Sequence, residues 1–278
     1  MSTVAISAQD INKLRQMTGA GMMDCRKALT ETNGDFEEAI DWLRKQGQKV
    51  AAKRSDREAK EGVVIALTSA DHKTGIVVCV SCETDFVSKN ADFVAFGQSI
   101  ADAAIAGNVK SIEELMSAKT GNSTVAEIVN DKLASIGEKI GITKFERIDA
   151  DYVASYIHGA YRIGVLVGLN KESAEVGKDV AMQIAALNPV AVDAASVSAE
   201  TIAREKAIIL ELMKQDPKMA GKPDEMLNKI VEGKMGAFFK EQTLTAQSFV
   251  KDGSKSVADY LKEAGDVKVT EFKRVALG

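Results

Sequence analysis

The amino-acid sequence predicts an α+β protein. It reads as an amino-terminal three-helix bundle, then a core of two similar subdomains with antiparallel sheets and helices, with an inserted antiparallel helical hairpin as an arm. Three observations predict this. Apolar residues in the first 47 positions recur only at helical spacing. β-branched runs around short polar turns begin at Gly62 and recur roughly 90 residues later. Residues 198–242 form one long helical pattern interrupted by prolines.

In the bundle, Ser7 is placed to cap a helix with Ile11 and Leu14 on one stripe, and Gly19-Ala20-Gly21 breaks the chain. Met22 to Thr32 carries Met22, Cys25, Ala28 and Leu29 at helical spacing before Asn33-Gly34 stops it. Asp35 with Glu38 starts a third helix that buries Phe36, Ala39, Ile40 and Leu43. Residues 1–47 thus resemble the ubiquitin-associated fold, in which the loop between the first two helices is a binding surface. Residues 48–61 mix Lys49, Lys53, Arg54, Arg57 and Lys60 with Asp56, Glu58 and Glu61, a solvated helix or charged linker at a domain boundary.

The first core subdomain is expected over 62–149. Val63 to Thr68 and Ile76 to Cys82 flank a polar turn ending in Gly75, which signals a hairpin. A helical stripe of Phe93, Phe96, Ile100 and Ala103 follows, then a weaker helix over Thr124 to Ile136 and a strand over Ile140 to Ile148. The second subdomain, 150–278, repeats the order. Tyr152 to Ile157 and Arg162 to Leu169 flank the turn His158 to Tyr161, and Glu175 to Leu187 is a helix. Into it are set two helices of about 17 residues, each near 25 Å long. One is capped by Ser198 and carries Ile202, Ile208, Ile209, Leu212 and Met213; Asp216-Pro217 through Lys222-Pro223 breaks it, and the other is capped by Asp224 and carries Leu227, Ile230, Val231, Met235 and Phe238. Their apolar stripes must be satisfied mainly by each other, so the pair projects as an arm. Val257 to Lys262 is a short helix, and Val267 to Val275 closes the second sheet.

The residue inventory bounds the chemistry. The 278 residues are 45% hydrophobic, which excludes a disordered chain and allows about two domains. A net charge of −4 offers no basic excess for a phosphate backbone, so no direct nucleic-acid partner is expected. The longest apolar runs are under about ten residues, where a membrane span needs about 20, and the first ten residues carry no leader pattern. With only three cysteines, an odd and sparse set, the chain reads as cytoplasmic with no membrane association. Cys79 and Cys82 form a CxxC, but strand residues three apart point to opposite faces, which reads as structural cysteines. There is no GxxxxGK[ST] or GxSxG, and Gly19-Ala20-Gly21 lacks both the third glycine and the preceding strand of a dinucleotide fingerprint. The chain is expected not to be an enzyme and to need no cofactor or metal.

Glu83 to Lys89 admits two readings. In one, Asp85 caps a helix and Phe86 extends the buried stripe of Phe93. In the other, Asp85 and Phe86 project together as a wedge for a partner. His158, before a glycine in a tight turn, is either locally hydrogen-bonded or a contact residue.

Four separated motifs point one way. Thr18 to Leu29, Glu83-Thr84-Asp85-Phe86-Val87, His158-Gly159 with Arg162 to Leu166, and Val231-Glu232-Gly233-Lys234-Met235 resemble the elongation factor Ts family in order and over nearly the whole chain. The resemblance implies guanine-nucleotide exchange on the translational GTPase elongation factor Tu, engaged in its GDP-bound and nucleotide-free forms. By position it implies that Asp85 and Phe86 intrude beside the GTPase's magnesium site, with Thr84 to Val87 acting to dislodge Mg²⁺. It further implies partner contacts at Ile136, Gly137 and His158 in the core, and at Arg15, Met22 and Met23 in the bundle. The hairpin resembles the family's coiled-coil arm. Tyr161 departs from the small residues usual in its turn, and Ser248 from the usual proline. A binding or scaffold protein with a nucleic-acid role is the competing class; it calls for a basic stripe with aromatics, which the chain lacks outside 48–61.

Overall fold

A computed structural model describes residues 6–54, 56–216 and 223–278. Ser7 opens α1 (Ala8–Thr18) through a reciprocal cap. Its hydroxyl accepts from the Asp10 amide at 3.1 Å, while the Asp10 carboxylate accepts from the Ser7 amide at 3.2 Å. Gly19, at φ 68°, ends the helix in the left-handed conformation, and α2 (Met22–Glu31) and α3 (Phe36–Lys53) follow. Leu14, Cys25, Ala28, Leu29, Ala39 and Leu43 make a small core of their own. Met22, at helical spacing with the buried Cys25, Ala28 and Leu29, is itself 52% exposed, because as the first residue of α2 it sits beside the open α1–α2 loop. The third helix runs on to Lys53, so the charged stretch begins as helix.

The core opens with β1 (Glu61–Thr68) and β2 (Thr74–Cys82), followed by the single turn α4 (Asp85–Ser88) and by α5 (Ala91–Ala106). Next come α6 (Ile112–Ser117), the two-residue strands β3 (Lys119–Thr120) and β4 (Ser123–Thr124), α7 (Val125–Ile136) and β5 (Gly141–Asp149). Strand β2 lies between β1 and β5, all antiparallel, with Val64 opposite Cys79 and Val78 opposite Phe145. The second half follows the same plan. It has β6 (Tyr152–His158), β7 (Ile163–Leu169) and α8 (Ala174–Leu187), and its last strand is β10 (Val269–Ala276), again with the second strand central.

Alternation along the strands sends residues to two different layers. Val63, Ile65, Ile76, Val78, Val80 and Cys82 face Phe93, Ile100, Leu115, Val129 and Leu133 of the covering helices. Val64, Ala66, Val77, Cys79 and Ile148 face the other way and meet Val153, Leu166 and Val275 of the second sheet. The second sheet's outer face, Tyr152, Val165, Val167 and Leu169, lies under Val176, Val180 and Ile184 of α8. The order is therefore helices, sheet, sheet, helices, and strands buried on both faces need the unbroken apolar runs seen in the sequence. Cys79 and Cys82 fall in different layers. Burial pushes the Cys82 thiol up to about 12, with Glu138 adding to the rise. Close approach of the sheets needs Gly164, where a Cβ would lie 2.7 Å from side-chain carbons of both Val64 and Val77.

Between α8 and β10 stand α9 (Ala199–Gln215), α10 (Asp224–Gln242), the short strands β8 (Ser248–Phe249) and β9 (Asp252–Ser256), and α11 (Val257–Glu263). The Ser198 hydroxyl caps α9 by accepting from the Thr201 amide at 3.1 Å. Pro223 occupies the cap position of α10, correcting the cap expected at Asp224. Of the break predicted from Asp216-Pro217 through Lys222-Pro223, positions 217–222 lie outside the described residues. Ile209 and Met213 pack with Leu227, Val231 and Met235 in a cluster drawn from these two helices, and Lys206 pairs with Glu232 at 2.6 Å. Ile208 and Leu212, expected on the same stripe, are exposed instead, because they lie to the side of the seam that Ile209 and Met213 occupy. At the base of this pair, buried Gln183 donates to Gln247 Oε1 and to the Ser248 carbonyl, each at 3.1 Å, tying the chain after α10 to α8.

Candidate partner-binding surface

Where β2 gives way to α4, the chain turns outward. Thr84 occupies the cap position of α4 but makes no side-chain cap, and Asp85 is the first helical residue. Asp85 pairs with Lys89 Nζ at 2.7 Å, and this hydrogen bond holds its carboxyl below the usual carboxylate range. Phe86 is 85% exposed, whereas Phe93 is 1% exposed. The capping-and-core reading of this segment is thereby excluded. Val87 folds back onto the helix-covered core and anchors the turn from which Phe86 projects.

The turn is held from outside itself. Glu138 Oε2 accepts from the amides of Glu83 at 3.1 Å and Thr84 at 3.0 Å, and its Oε1 accepts from the Thr84 hydroxyl at 2.6 Å. In return, Glu83 Oε1 accepts from the Lys139 amide at 2.6 Å and from Arg54 Nη1 at 2.7 Å, while Oε2 accepts from Arg57 Nη1 at 3.0 Å. Burial works to raise the pKa of Glu83, but the Lys139 amide and the two guanidinium groups outweigh it and bring it down to about 2. Glu138 is placed by Gly137, whose φ of 77° ends α7 with its amide on the Leu133 carbonyl at 2.8 Å. Ile136 and Gly137 directly precede the carboxylate that holds Thr84, and Ile136 is 36% exposed. Sequence reasoning named both segments but not the carboxylates that join them, since nothing local marks a pairing 55 residues apart.

The turn after β6 reaches the same end of the core. Gly159, Ala160 and Tyr161 all have positive φ, at 63°, 51° and 67°. The Tyr161 carbonyl accepts from the Val64 amide at 2.7 Å, and Arg162 pairs with Glu61 at 3.2 Å. Glu61 stands opposite Cys82 in the β1–β2 ladder, next to the residue where the outward turn begins. Tyr161 packs onto the same core as Val87. His158 is exposed, with Nδ1 hydrogen-bonded to the Tyr156 hydroxyl at 3.0 Å, so the local bond and an accessible ring coexist.

On the bundle, Arg15, Met22 and Met23 are all exposed around the α1–α2 loop, together with Met17, which sequence reasoning left out. Flexible thioethers at a surface adapt readily to a partner's contour. The bundle rests on α7 through α3. A Cβ on Gly47 would come within 2.7 Å of Ala134, Asn130 Nδ2 donates to the Arg44 carbonyl at 3.4 Å, and Arg44 pairs with Asp131 at 3.7 Å. A cleft of about 500 Å³ lined by Met17, Leu43, Arg44, Ile128 and Asp131 runs between them.

A family model described as Elongation factor TS matches residues 83–278. Elongation factor Ts of Christiangramia forsetii is 46% identical over 98% of this chain and 99% of its own length. That of Flavobacterium psychrophilum is 45% identical over 98% and 99%, and that of Clostridium perfringens 43% identical over 98% and 93%. The chain belongs to the elongation factor Ts family. The elongation factor Ts match begins at Glu83, the anchored residue of the outward turn, and takes in α7, the whole second subdomain and the α9–α10 pair. Similarity to the elongation factor Ts relatives extends across the bundle as well. Among the described residues, no group of three or more His, Cys, Asp or Glu is arranged to hold a metal ion, and no helix is long and apolar enough to cross a membrane.

Proposed function

We propose that this chain is a guanine-nucleotide exchange factor for elongation factor Tu in the cytoplasm, acting on its GDP-bound form and holding its nucleotide-free form. The observation that carries the reading is Phe86, an aromatic side chain 85% exposed at the tip of a turn that is itself pinned by two carboxylates. An exposed phenylalanine is costly in water and rewarding in a partner's pocket. Burial of one phenylalanine contributes about 2–3 kcal/mol.

Exchange needs no bond-making residue, which agrees with a chain that acts by binding and is not an enzyme. A GTPase holds GDP through phosphate-binding amides and Mg²⁺. A protein that binds the nucleotide-free form more tightly must, by linkage, weaken nucleotide binding by the same factor. At about 1.4 kcal/mol for each tenfold, Phe86 alone accounts for roughly two orders of magnitude. Larger effects require the other surfaces: Asp85 with Thr84 and Val87 at the turn, Ile136, Gly137 and His158 beside it, and Arg15, Met22 and Met23 on the bundle. In this scheme the Thr84–Val87 segment disturbs the partner's magnesium and phosphate region, GDP leaves, and GTP displaces the factor. The α9–α10 pair serves as a coiled-coil arm reaching another part of the partner, with no nucleic acid or membrane contacted directly.

The test is release of a fluorescent GDP analogue from purified elongation factor Tu. Acceleration by this chain is expected; an unchanged release rate would overturn the reading. The Phe86→Ala variant should lose about ten- to a hundredfold of the acceleration, and an undiminished rate would remove Phe86 as the wedge while leaving the exchange activity standing.

A further inference from the structure

Phe86 has no core of its own to aim it. It stands on a one-turn helix, so its direction is set by the backbone just before it, at Glu83 to Asp85. That backbone is gripped by a crossed pair: Glu138 takes the Glu83 and Thr84 amides and the Thr84 hydroxyl, and Glu83 takes the Lys139 amide. Each carboxylate thus closes on the other's segment. Glu83 is only 14% exposed, so breaking its contacts would strand a charge with little water to receive it. A second link enters from the amino-terminal side. Arg54 and Arg57 follow directly on α3 and both engage Glu83, and Lys139 Nζ donates to the Arg57 carbonyl at 2.9 Å. An unbroken path of charged contacts therefore runs from the end of the bundle's last helix to the base of the projecting turn.

We propose that Glu83 and Glu138 are positioning residues for Phe86, and that Arg54 and Arg57 join the amino-terminal bundle to that turn, so that bundle and wedge meet the GTPase as one preset unit. This rests on the exchange reading above. A preset wedge loses less conformational freedom on docking than a loose one, so its benefit falls on the exchange step at saturation and not on first encounter.

The experiment uses the full chain in five forms: wild type, Glu138→Ala, Glu138→Gln, Phe86→Ala and the Arg54→Ala/Arg57→Ala double variant. Without any partner, hydrogen exchange at the Thr84 amide should be at least about tenfold faster in Glu138→Ala than in wild type. With elongation factor Tu, the saturating rate of GDP-analogue release should fall about tenfold in Glu138→Ala while the half-saturating concentration moves less than about threefold. Glu138→Gln, which keeps one acceptor oxygen, should recover part of the loss. The arginine double variant alters largely surface side chains and should lower the saturating rate in the same direction, which keeps the test valid if Glu138→Ala folds poorly.

Adding Glu138→Ala to Phe86→Ala should cost nothing further, because a wedge that is absent needs no aiming. Additive losses, an unchanged saturating rate in the Glu138 and arginine variants, or an unchanged Thr84 amide would each overturn the proposal. If wild type itself fails to accelerate release, the exchange reading falls and takes this inference with it. If wild type and Phe86→Ala behave as expected and the Glu138 and arginine variants match wild type, only this inference falls.

Discussion

Phe86 and Phe93 stand seven residues apart and meet opposite surroundings, one 85% exposed and one 1% exposed. The same residue type should therefore respond oppositely to truncation. Phe86→Ala should change the stability measured by urea denaturation by no more than about 0.5 kcal/mol, whereas Phe93→Ala should cost about 3–5 kcal/mol. Phe93 was legible because it begins a helical stripe. Phe86 was not, because a helical period and an outward turn both fit its spacing, and only the backbone path after Cys82 decides between them. Glu83 offers a pH test. Its folded carboxyl titrates at about 2 against an ordinary 4.5, lowered by the Lys139 amide and both arginines against the opposing effect of burial. A depressed folded value means stability that is present above pH 4.5 and is lost as the pH falls toward 2. Glu83→Gln should therefore be less stable than wild type by about 2 kcal/mol at neutral pH, and the two denaturation midpoints should converge in acid. Midpoints that stay parallel from neutral pH down to acid would contradict the assignment.

Helices that carry their own start signals were readable one at a time: Ser7, Ser198 and the spacing of Leu14, Cys25 and Ile209 all do what short-range rules require. Thr124 with Glu127 forms a full reciprocal cap on α7, a start signal present in the sequence that marks this helix as firmly as the others. The hairpins β3–β4 and β8–β9 were not readable, since strands of two to five residues show no period. The α9–α10 pair shows the element scale most clearly. Helical stability in proteins comes mostly from packing of an apolar face, and in these helices of 17 and 19 residues each face has the other to cover it. Placing a carboxylate in that shared seam should release both. Val231→Asp is expected to reduce far-UV helical ellipticity and to open 199–242 to limited proteolysis, with the two sheets still protected from cleavage. Loss of the whole fold in one cooperative step would show the pair to be part of the main core instead.

At the scale of the molecule, two sheets of the same strand plan are pressed face to face with helices outside each. Gly164→Ala addresses that contact directly: the new methyl would sit 2.7 Å from carbons of Val64 and Val77, on the opposing sheet, and should cost about 1–3 kcal/mol in thermal unfolding. Wild-type stability in this variant would mean that the sheets can separate at no cost. The amino-acid order by itself determined the longer helices and strands, the repeat of strand, strand and helix, the inserted helical pair and the four motifs shared with elongation factor Ts. Those properties are written in periods of 3.6 and 2 and in caps a few residues long, so neighbours along the chain suffice to specify them. Tertiary structure alone decided that the sheets face each other, that Met22 and Phe86 are outside, and that Thr84–Val87, Ile136-Gly137 and the His158 turn share one end of the core. These depend on contacts between residues far apart in the chain, such as Glu138 with Glu83, 55 positions away, and Arg162 with Glu61, 101 positions away. Which such pairs meet follows from how the layers bury their apolar area together, a property of the packed whole that no local stretch carries.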